Sequence, residues 1–204
     1  MTAHEDITAK DKHVVIIGGG DTGSDCLGTA LRQGARQVNQ IEIMPRAPKN
    51  RTGDNPWPLW PLIDRESSSH KEGGMRRWCI TTKKFEGNKD GAVTRLHCAE
   101  VEWIKRDGRF VPVDKLNTDF ILDADLVLLA MGFVGPGSDP LADALGLERD
   151  ERSNIKVDDH HMTSMPGVFS AGDMAHGQSL VVRAMADGIG AANDVRAYLD
   201  TAHI

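Results

Sequence analysis

The sequence predicts an α/β fold in which a parallel sheet carries an inserted antiparallel meander. Three observations lead to this prediction. An apolar segment, His13–Ile17, runs directly into a cluster of glycines, a helical pattern follows at Asp21–Arg32, and a strand pattern follows at residues 37–44. A strand that is apolar without alternation is typical of a parallel sheet buried on both faces. Strand, glycine turn, helix and strand in this order form a βαβ unit.

Residues 45–72 interrupt the regular pattern. They hold five of the nine prolines, a density that neither a helix nor a central strand tolerates. We expect an irregular segment with one short helix at residues 62–68, and we expect Trp57 and Trp60 to be buried against a neighbouring surface rather than to contact a ligand. Residues 79–113 have short runs with an imperfect two-residue apolar period, which predicts the antiparallel meander. The insertion therefore covers about residues 45–120.

The parallel pattern resumes after the insertion. Residues 125–131 predict a second buried strand, which stops at Gly132. Further along the chain we expect a short helix at residues 141–145, a short strand at residues 167–171 and an amphipathic helix at residues 179–199. We divide the chain into a first domain of residues 10–150 and a second domain of residues 151–204.

The composition excludes several classes of function. The 204 residues are 40% hydrophobic and carry a formal net charge of -6, so we expect no binding to nucleic acid or to an anionic membrane surface. No apolar stretch approaches the ~20 residues that span a bilayer, and the polar first residues lack a signal peptide. We therefore expect a soluble, cytoplasmic protein. The three cysteines, Cys26, Cys79 and Cys98, have no C-x-x-C spacing, and we expect no bound metal.

The glycine cluster has the spacing of a dinucleotide-binding turn. The pattern G-x-G-x-x-G is formed by Gly18, Gly20 and Gly23, with Gly19 inside it. Such a pattern is weak alone, but here it follows an apolar strand and opens a helix. The first glycine allows the tight turn, the second lets a pyrophosphate approach the backbone, and the third lets helix and strand pack closely. The free N–H groups near Asp21 and Thr22 would bind the phosphates, which predicts a Rossmann-like domain. The alternative is a glycine-lined turn in some other α/β protein.

The end of the second strand determines which dinucleotide is preferred. Glu42 lies nineteen positions beyond Gly23, where an acidic residue normally binds the unphosphorylated ribose of NAD. Because we expect the strand to continue to residue 44, Arg46 becomes the first side chain beyond it. Arg46, together with Arg51, would bind a ribose 2′-phosphate through charge-assisted hydrogen bonds, which favours NADPH. The alternative is that Arg46 is an ordinary surface residue.

A second constellation lies near the C-terminus. A strand pattern ends at Gly172 and Asp173, and a helix begins after Gln178, at Ser179. A carboxylate at a strand end can accept hydrogen bonds from a polyol, and a helix N-terminus can stabilise an anion. Both properties suit a flavin, which has a ribityl chain and a ring that is anionic when reduced. Taken alone, however, a Gly-Asp turn is too common to indicate a site.

Several segments together resemble one known family. These are VVIIGGGDTGSDC, IEIMPR, RTGDNPWPLWP, LVLLAMGFVGP and TSMPGVFSAGDMAHGQSLVVRAMADG. They look like the C-terminal portion of the small (β) subunit of NADPH-dependent glutamate synthase, within the wider group of pyridine-nucleotide/FAD oxidoreductases. The resemblance implies electron transfer from NADPH through FAD toward glutamate synthesis. No catalytic acid or base is expected in this chain, because its contribution is to hold a nicotinamide against a flavin.

The resemblance also implies roles for individual residues. Gly18, Gly20, Asp21, Thr22 and Gly23 would surround the pyrophosphate of NADPH, Arg46 and Arg51 would bind its 2′-phosphate, and Gly132 would lie near the nicotinamide. In the second domain, Asp173 would bind the ribityl chain of FAD, next to Gly172. Gln178, Ser179 and Leu180 would place the N-terminus of the last helix against the flavin ring. Met131 and Gly132 stand where many relatives have Thr-Gly, a departure that leaves the backbone role unchanged.

Family members carry further segments that this sequence lacks. These are an iron–sulfur region rich in cysteine and the first half of the FAD domain, so we expect only a partial FAD site here. The expected partner is the large subunit of glutamate synthase or the missing N-terminal portion, and a homo-oligomer is left open. Two alternatives remain: a non-catalytic NADP-binding or subunit-docking module, and a reductase of the same group with a different electron acceptor.

A few reactive residue types are expected to have no functional role. Asp158, Asp159, His160 and His161 are adjacent, and side chains of adjacent residues on an extended chain point apart, so we expect a solvated loop. Cys26 lies one turn into the first helix, where we expect a packed side chain rather than a reactive thiol.

Overall fold

The computed structural model describes residues 7–137 and 140–202 and separates into two compact units, Met1–Gly132 and Phe133–Ile204. The first unit contains, in chain order, β1 His13–Ile17, α1 Asp21–Arg32, β2 Gln37–Ile41, α2 Ser68–Lys71, β3 Met75–Arg77, β4 Ile80–Gly87, β5 Val93–Arg106, β6 Arg109–Asp114, β7 Phe120–Asp123 and β8 Leu126–Leu129. The second unit contains α3 Pro140–Ala144, α4 Asp173–His176 and α5 Val181–Ala202. The division between the two units falls earlier in the chain than the predicted domain boundary at residue 150.

A four-stranded parallel sheet with the order β3-β2-β1-β8 forms the centre of the first unit. Alternate residues of β1 face opposite sides of the sheet. Val14 and Ile16 pack with Leu27 of α1, while Val15 packs with Ile41 of β2 and with the antiparallel strands. The sheet is therefore covered on both faces, as the unbroken apolar run of β1 predicts.

The antiparallel meander is confirmed, although it is larger than expected. The 14-residue strand β5 pairs along its first half with β4 on one side and with β7 on the other, and along its second half with β6. Leu96 and Cys98 of β5 are buried beneath the parallel sheet, in the same cluster as Val15. The insertion thus supplies the layer that covers the second face of the parallel sheet.

Two predictions at the start of the insertion are wrong. The strand β2 ends at Ile41 and does not continue to residue 44, because the Glu42 carboxylate accepts the N–H of Met44 at 3.0 Å and the chain turns there. The short helix forms at Ser68–Lys71 rather than at residues 62–68. Its start is fixed by the Ser67 side chain, which accepts the N–H of His70.

The tryptophans of the proline-rich segment are also not buried as predicted. Trp57 is 81% exposed and Trp60 is 56% exposed. Hydrogen bonds of a buried asparagine hold this segment instead: Asn55 donates through Nδ2 to the carbonyl of Trp60 at 3.0 Å and accepts the N–H of Leu62 at 2.8 Å. A satisfied buried amide can fix an irregular loop where no apolar packing does.

The second unit has little regular structure apart from its long last helix. The strand predicted at residues 167–171 does not form, and within the described residues Phe169 makes only a single bridge, to Met162. Helix α5 begins at Val181, two residues later than expected. Its apolar stripe is exposed and includes Val182, Met185, Ile189 and Leu199. None of the helices that the structure describes is both long enough and apolar enough to cross a bilayer.

Candidate functional site

The glycine turn lies where the carboxyl ends of β1, β2 and β8 meet. The N–H of Gly18 donates to the carbonyl of Ile41 at 2.9 Å, and the N–H of Ala130 donates to the carbonyl of Ile17 at 2.7 Å. Gly18 has φ +125°, and a Cβ at this position would lie 2.1 Å from the carbonyl oxygen of Ala130. Only glycine fits, because the backbone of the neighbouring strand occupies the space of a side chain.

The other two glycines of the motif have different surroundings. A Cβ on Gly23 would lie 2.2 Å from the carbonyl oxygen of Gly18, so α1 packs directly against the turn. A Cβ on Gly20 would meet nothing within 4 Å, and its φ of -79° suits any residue. The fold therefore requires Gly18 and Gly23 but does not require Gly20. The open space at Gly20 is available to a ligand.

A cleft of about 750 Å³ opens beside this turn. Its walls are residues 18–22, the residues 42 and 43 that follow β2, residues 80–83 and 85 of β4, and residues 129–132 at the end of β8. Six predicted site residues are brought together here: Gly18, Gly19, Gly20, Asp21, Thr22 and Gly132. The volume lies within the ~300–1,000 Å³ range of small-molecule and cofactor sites.

The N-terminus of α1 points its unpaired backbone groups toward the same place. Gly20 is the N-cap residue, and no side chain caps the helix. The first intrahelical bond runs from Ser24 N–H to the carbonyl of Gly20 at 3.0 Å. A helix of 12 residues with an uncapped N-terminus attracts anions through its N–H groups and its dipole. The cleft can therefore hold a phosphate group against the turn.

Glu42 is the acidic group of the cleft, and the structure gives it a position that the sequence reasoning discounted. Its Oε2 accepts the N–H of Gly19 at 2.6 Å, and its Oε1 accepts the N–H of Met44. Because β2 ends at Ile41, Glu42 is the first residue beyond the strand. An acidic residue here is the usual partner of a ribose hydroxyl. The count of nineteen residues beyond Gly23 leads to this position, whereas the prediction that the strand continues to residue 44 is wrong.

The two predicted phosphate-binding arginines do not line the cleft. Arg46 donates through Nε to Asp64 at 2.8 Å and through Nη2 at 2.7 Å, and its guanidinium lies 4.6 Å from the ring of Trp78. Arg51 donates through Nη1 to the carbonyls of Leu59, at 2.8 Å, and Asn55, at 3.2 Å. Arg46 remains accessible, with 57% of its side chain exposed. Their binding to a phosphate stays a prediction.

A series of hydrogen-bonded polar side chains supports the glycine turn. Gln40 is 2% exposed and donates through Nε2 to the carbonyl of Gly18 at 2.8 Å. His70 lies 3.0 Å from Gln40 Oε1 through its Nε2, and its Nδ1 accepts the N–H of Ser67 at 3.2 Å. Burial lowers the pKa of His70, so the neutral ring is favoured. Sequence reasoning missed this support, although a glutamine within a buried strand was a visible signal.

The predicted flavin residues lie in the second unit. Asp173 and Gln178 line a pocket of about 330 Å³ together with Met174, and the side chain of Gln178 donates to the carbonyl of Phe133. Gly172 lies at the turn and donates its N–H to Asp187 Oδ2 at 2.6 Å. Ser179 and Leu180 do not line this pocket; they precede α5, whose Arg183 N–H bonds to the carbonyl of Leu180. The structure thus brings two of the predicted residues, Asp173 and Gln178, to one pocket.

The thiol of Cys26 is packed, as expected. It lies against the apolar cluster beneath α1, and burial raises its pKa, so the reactive thiolate is disfavoured.

Comparison with known proteins adds the family. The model of the pyridine nucleotide-disulphide oxidoreductase family matches residues 2–188. The chain belongs to the pyridine nucleotide-disulphide oxidoreductase family. Among its relatives, the chain is 54% identical over 95% of its length to the glutamate synthase (NADPH) small chain of Mycobacterium tuberculosis. It is 41% identical over 93% of its length to the glutamate synthase (NADH) of Schizosaccharomyces pombe. The resemblance drawn from the motifs is thus confirmed.

Within this oxidoreductase family, the chain covers only part of its relatives. It spans 38% of the Mycobacterium tuberculosis small chain and 9% of the Schizosaccharomyces pombe protein. The solved structure of Mycobacterium tuberculosis FprA in complex with NADPH matches with a TM-score of 0.65 at 16% identity, covering 96% of this chain and 54% of that one. At this identity the likeness shows the fold alone, and it agrees with the parallel sheet and the separate antiparallel sheet described above.

Proposed function

We propose that the chain binds NADPH in the cleft beside the glycine turn and is the dinucleotide-binding part of a flavin-dependent reductase of the glutamate synthase type. The observation that carries the proposal is the open, uncapped helix N-terminus at Gly20. It has space for a pyrophosphate where a side chain would otherwise stand. The nicotinamide supplies the hydride when it is bound. The chain contributes the position of the nicotinamide, and no proton transfer is assigned to the ionisable side chains that line the cleft, Asp21, Glu42 and Lys83.

Each predicted residue has a part in this proposal. Residues 18–23 hold the pyrophosphate, Glu42 faces the adenosine ribose, and Gly132 gives the nicotinamide end room at the end of β8. Arg46 and Arg51 bind the 2′-phosphate. Asp173, beside Gly172, binds the ribityl chain of FAD, and Gln178, Ser179 and Leu180 face the flavin ring. The remaining FAD contacts and the route to glutamate come from the larger protein or from the large subunit, in the cytoplasm.

The preference for NADPH or NADH depends on two side chains of opposite charge. Arg46 would attract a 2′-phosphate, whereas the carboxylate of Glu42 would repel it and bind a free ribose hydroxyl. A charge-assisted hydrogen bond contributes about 1.5–3 kcal/mol, or roughly tenfold to a hundredfold in affinity. Asp64 and Trp78 already hold the guanidinium of Arg46 in one position, so less side-chain entropy is lost when a ligand binds to it.

Calorimetric titration with each coenzyme tests how these two side chains affect the affinities. We expect Arg46→Ala to weaken NADPH at least tenfold and to leave NADH nearly unchanged. Glu42→Gln should shift the preference further toward NADPH. The matched control is Arg65→Ala, since Arg65 lies in the same segment but stacks on Trp60 at 4.6 Å. Equal affinity of the unmodified chain for both coenzymes would refute the arginine argument, and absence of binding by either would refute the dinucleotide site.

A second candidate function is a dinucleotide-binding or docking module that holds no flavin of its own. The small pocket at Asp173 favours it, because about 330 Å³ is near the lower end of the range for cofactor sites. Purification separates the two candidates. A yellow protein that reduces ferricyanide with NADPH indicates a reductase, and a colourless protein that binds NADPH without reducing ferricyanide indicates the module.

A further inference from the structure

Three side chains of the second unit converge at a point that the dinucleotide site does not use. His161, His176 and Asp187 each present one ligand atom, and these atoms all lie within 4.8 Å of one another. His161 Nε2 lies 3.1 Å from Asp187 Oδ1, and His176 Nε2 lies 3.2 Å from the same oxygen. His161 and Asp187 are mostly buried, while His176 is exposed and opens the group to solvent.

These spacings match the edges of a metal coordination tetrahedron. With metal–ligand distances of about 2.0–2.1 Å, the ligand atoms around zinc are roughly 3.3–3.4 Å apart. Two of the three separations differ from this value by 0.1–0.3 Å, and the third, between the two imidazole nitrogens, is at most 4.8 Å. Imidazole nitrogen and carboxylate oxygen are both regular ligands of divalent transition metals.

The second nitrogen of His161 is already oriented as it is in metal sites. Asp194 Oδ2 lies 2.6 Å from His161 Nδ1. A carboxylate on one ring nitrogen places the proton there, which leaves the lone pair of Nε2 free and aimed at Asp187. Two lone pairs facing each other at 3.1 Å repel unless a positive charge lies between them. The arrangement therefore requires either an additional proton or a metal ion.

The supporting contacts keep these groups in place. Asp187 uses its other oxygen, Oδ2, to accept the N–H of Gly172 at 2.6 Å, so Oδ1 is left for the cluster. A Cβ on Gly190 would lie 3.0 Å from Cε1 of His161, which shows that the ring is seated closely against α5.

We propose that His161 Nε2, His176 Nε2 and Asp187 Oδ1 bind a divalent transition metal of the Zn²⁺ class, with a fourth position open to water. The ion would connect α4 to α5 beside the turn that holds Asp173. The sequence analysis placed His161 in a solvated loop because its neighbours in the sequence point apart. The site arises from residues 15 to 26 positions away along the chain, which the sequence analysis did not bring together.

Metal titration of the full, untagged chain tests the proposal. After treatment with a chelator, Zn²⁺ is titrated by calorimetry, and Co²⁺ is titrated while its visible absorption is recorded. We expect one equivalent of either ion to bind, with the intense Co²⁺ band of a tetrahedral site. His176→Ala should weaken binding by at least about 100-fold, and Asp194→Asn, which removes only the orienting carboxylate, by about 10- to 100-fold.

His160→Ala is the matched control. His160 is adjacent in sequence and 77% exposed, and it lies 3.7 Å from Asp194 without belonging to the cluster. The His160→Ala variant should bind Zn²⁺ with the affinity of the unmodified chain. His176→Ala is expected to fold, because the side chain is exposed on a four-residue helix, and circular dichroism checks this. Absence of Zn²⁺ binding, or equal loss in His160→Ala and His176→Ala, would overturn the proposal.

Discussion

Substitution by alanine at two glycines of the same motif should affect two different properties, the stability of the fold and the affinity for the ligand. In Gly23→Ala, the added methyl group meets the carbonyl oxygen of Gly18 at 2.2 Å and Nε2 of Gln40 at 2.5 Å. In Gly20→Ala, the methyl group meets no atom within 4 Å. Gly23→Ala should therefore destabilise the fold, whereas Gly20→Ala should affect only the ligand.

The magnitudes follow from these contacts. Forcing a methyl group into a packed site costs about 1–3 kcal/mol, and a rigid backbone oxygen places Gly23→Ala at the upper end. The better helix propensity of alanine offsets about 1 kcal/mol, which leaves a net loss of about 2 kcal/mol. For a chain of this length, that lowers the melting temperature by about 4–8 °C. In Gly20→Ala, the loss of a glycine N-cap and the gain from a less flexible unfolded chain roughly cancel, to within about 0.5 kcal/mol.

Thermal unfolding without ligand and titration with NADPH measure the two effects separately. Gly20→Ala should melt within about 2 °C of the unmodified chain and bind NADPH at least tenfold more weakly, a loss of about 1.4 kcal/mol. Wild-type affinity in Gly20→Ala would refute the placement of the pyrophosphate at this turn. Equal destabilisation by both substitutions would refute the geometric distinction between the two glycines.

Two further predictions concern stability. Leu96 is fully buried in the apolar cluster that contains Val15, and Leu96→Ala should lower the free energy of unfolding by about 2–5 kcal/mol in a denaturant titration. The control is Leu116→Ala, at a position that is 90% exposed, which should lower it by less than about 0.5 kcal/mol. Similar losses in the two variants would contradict the described core. The N–H of His13 donates to Asp125 at 2.8 Å and lowers the pKa of that carboxyl, so its stabilising contribution is present above the ordinary pKa and disappears as the pH falls through the lowered one. Asp125→Asn should therefore lower the melting temperature at pH 7, and the difference should shrink as the pH falls through the lowered pKa of the carboxyl; a difference that is independent of pH would contradict this.

Local patterns predicted the first strand and helix with their observed bounds, because the apolar run and the glycines that limit them lie in one continuous segment. β1 is apolar from Val14 to Ile17, and α1 is limited by Gly20 at its start and by the residues before Gly34 at its end. The glycine turn belongs to the same continuous segment, so the wall formed by residues 18–22 was predictable, whereas the wall formed by residues 80–83 and 85 of β4 was not. The end of β2 was not predictable, because the Glu42 carboxylate bonds to the N–H of Gly19 in the turn after β1, more than twenty positions earlier in the chain.

Long-range contacts account for the other differences. β3 has only three residues and depends on its pairing with β2, which lies more than thirty positions earlier. No local sequence pattern therefore predicts it. Gln40 and His70 meet across thirty positions to support the turn. The C-terminal unit shows the same limit: a short apolar run predicted a strand at residues 167–171, but the described part of that unit offers no neighbouring strand for it to pair with.

The path of the chain into β8 has a consequence for the order in which the cleft can be assembled. β7 leads to β8 through Ala124 and Asp125 alone, and the N–H of Ala124 donates to the carbonyl of Thr94 on β5. The antiparallel strands are connected by short turns, so they close small loops, and closing a small loop costs less entropy than closing a large one. Once these strands have paired, β8 lies next to β1 and can pair with it without the closure of another long loop. The insertion is therefore both a wall of the cleft and the means by which a strand from a distant part of the chain reaches it.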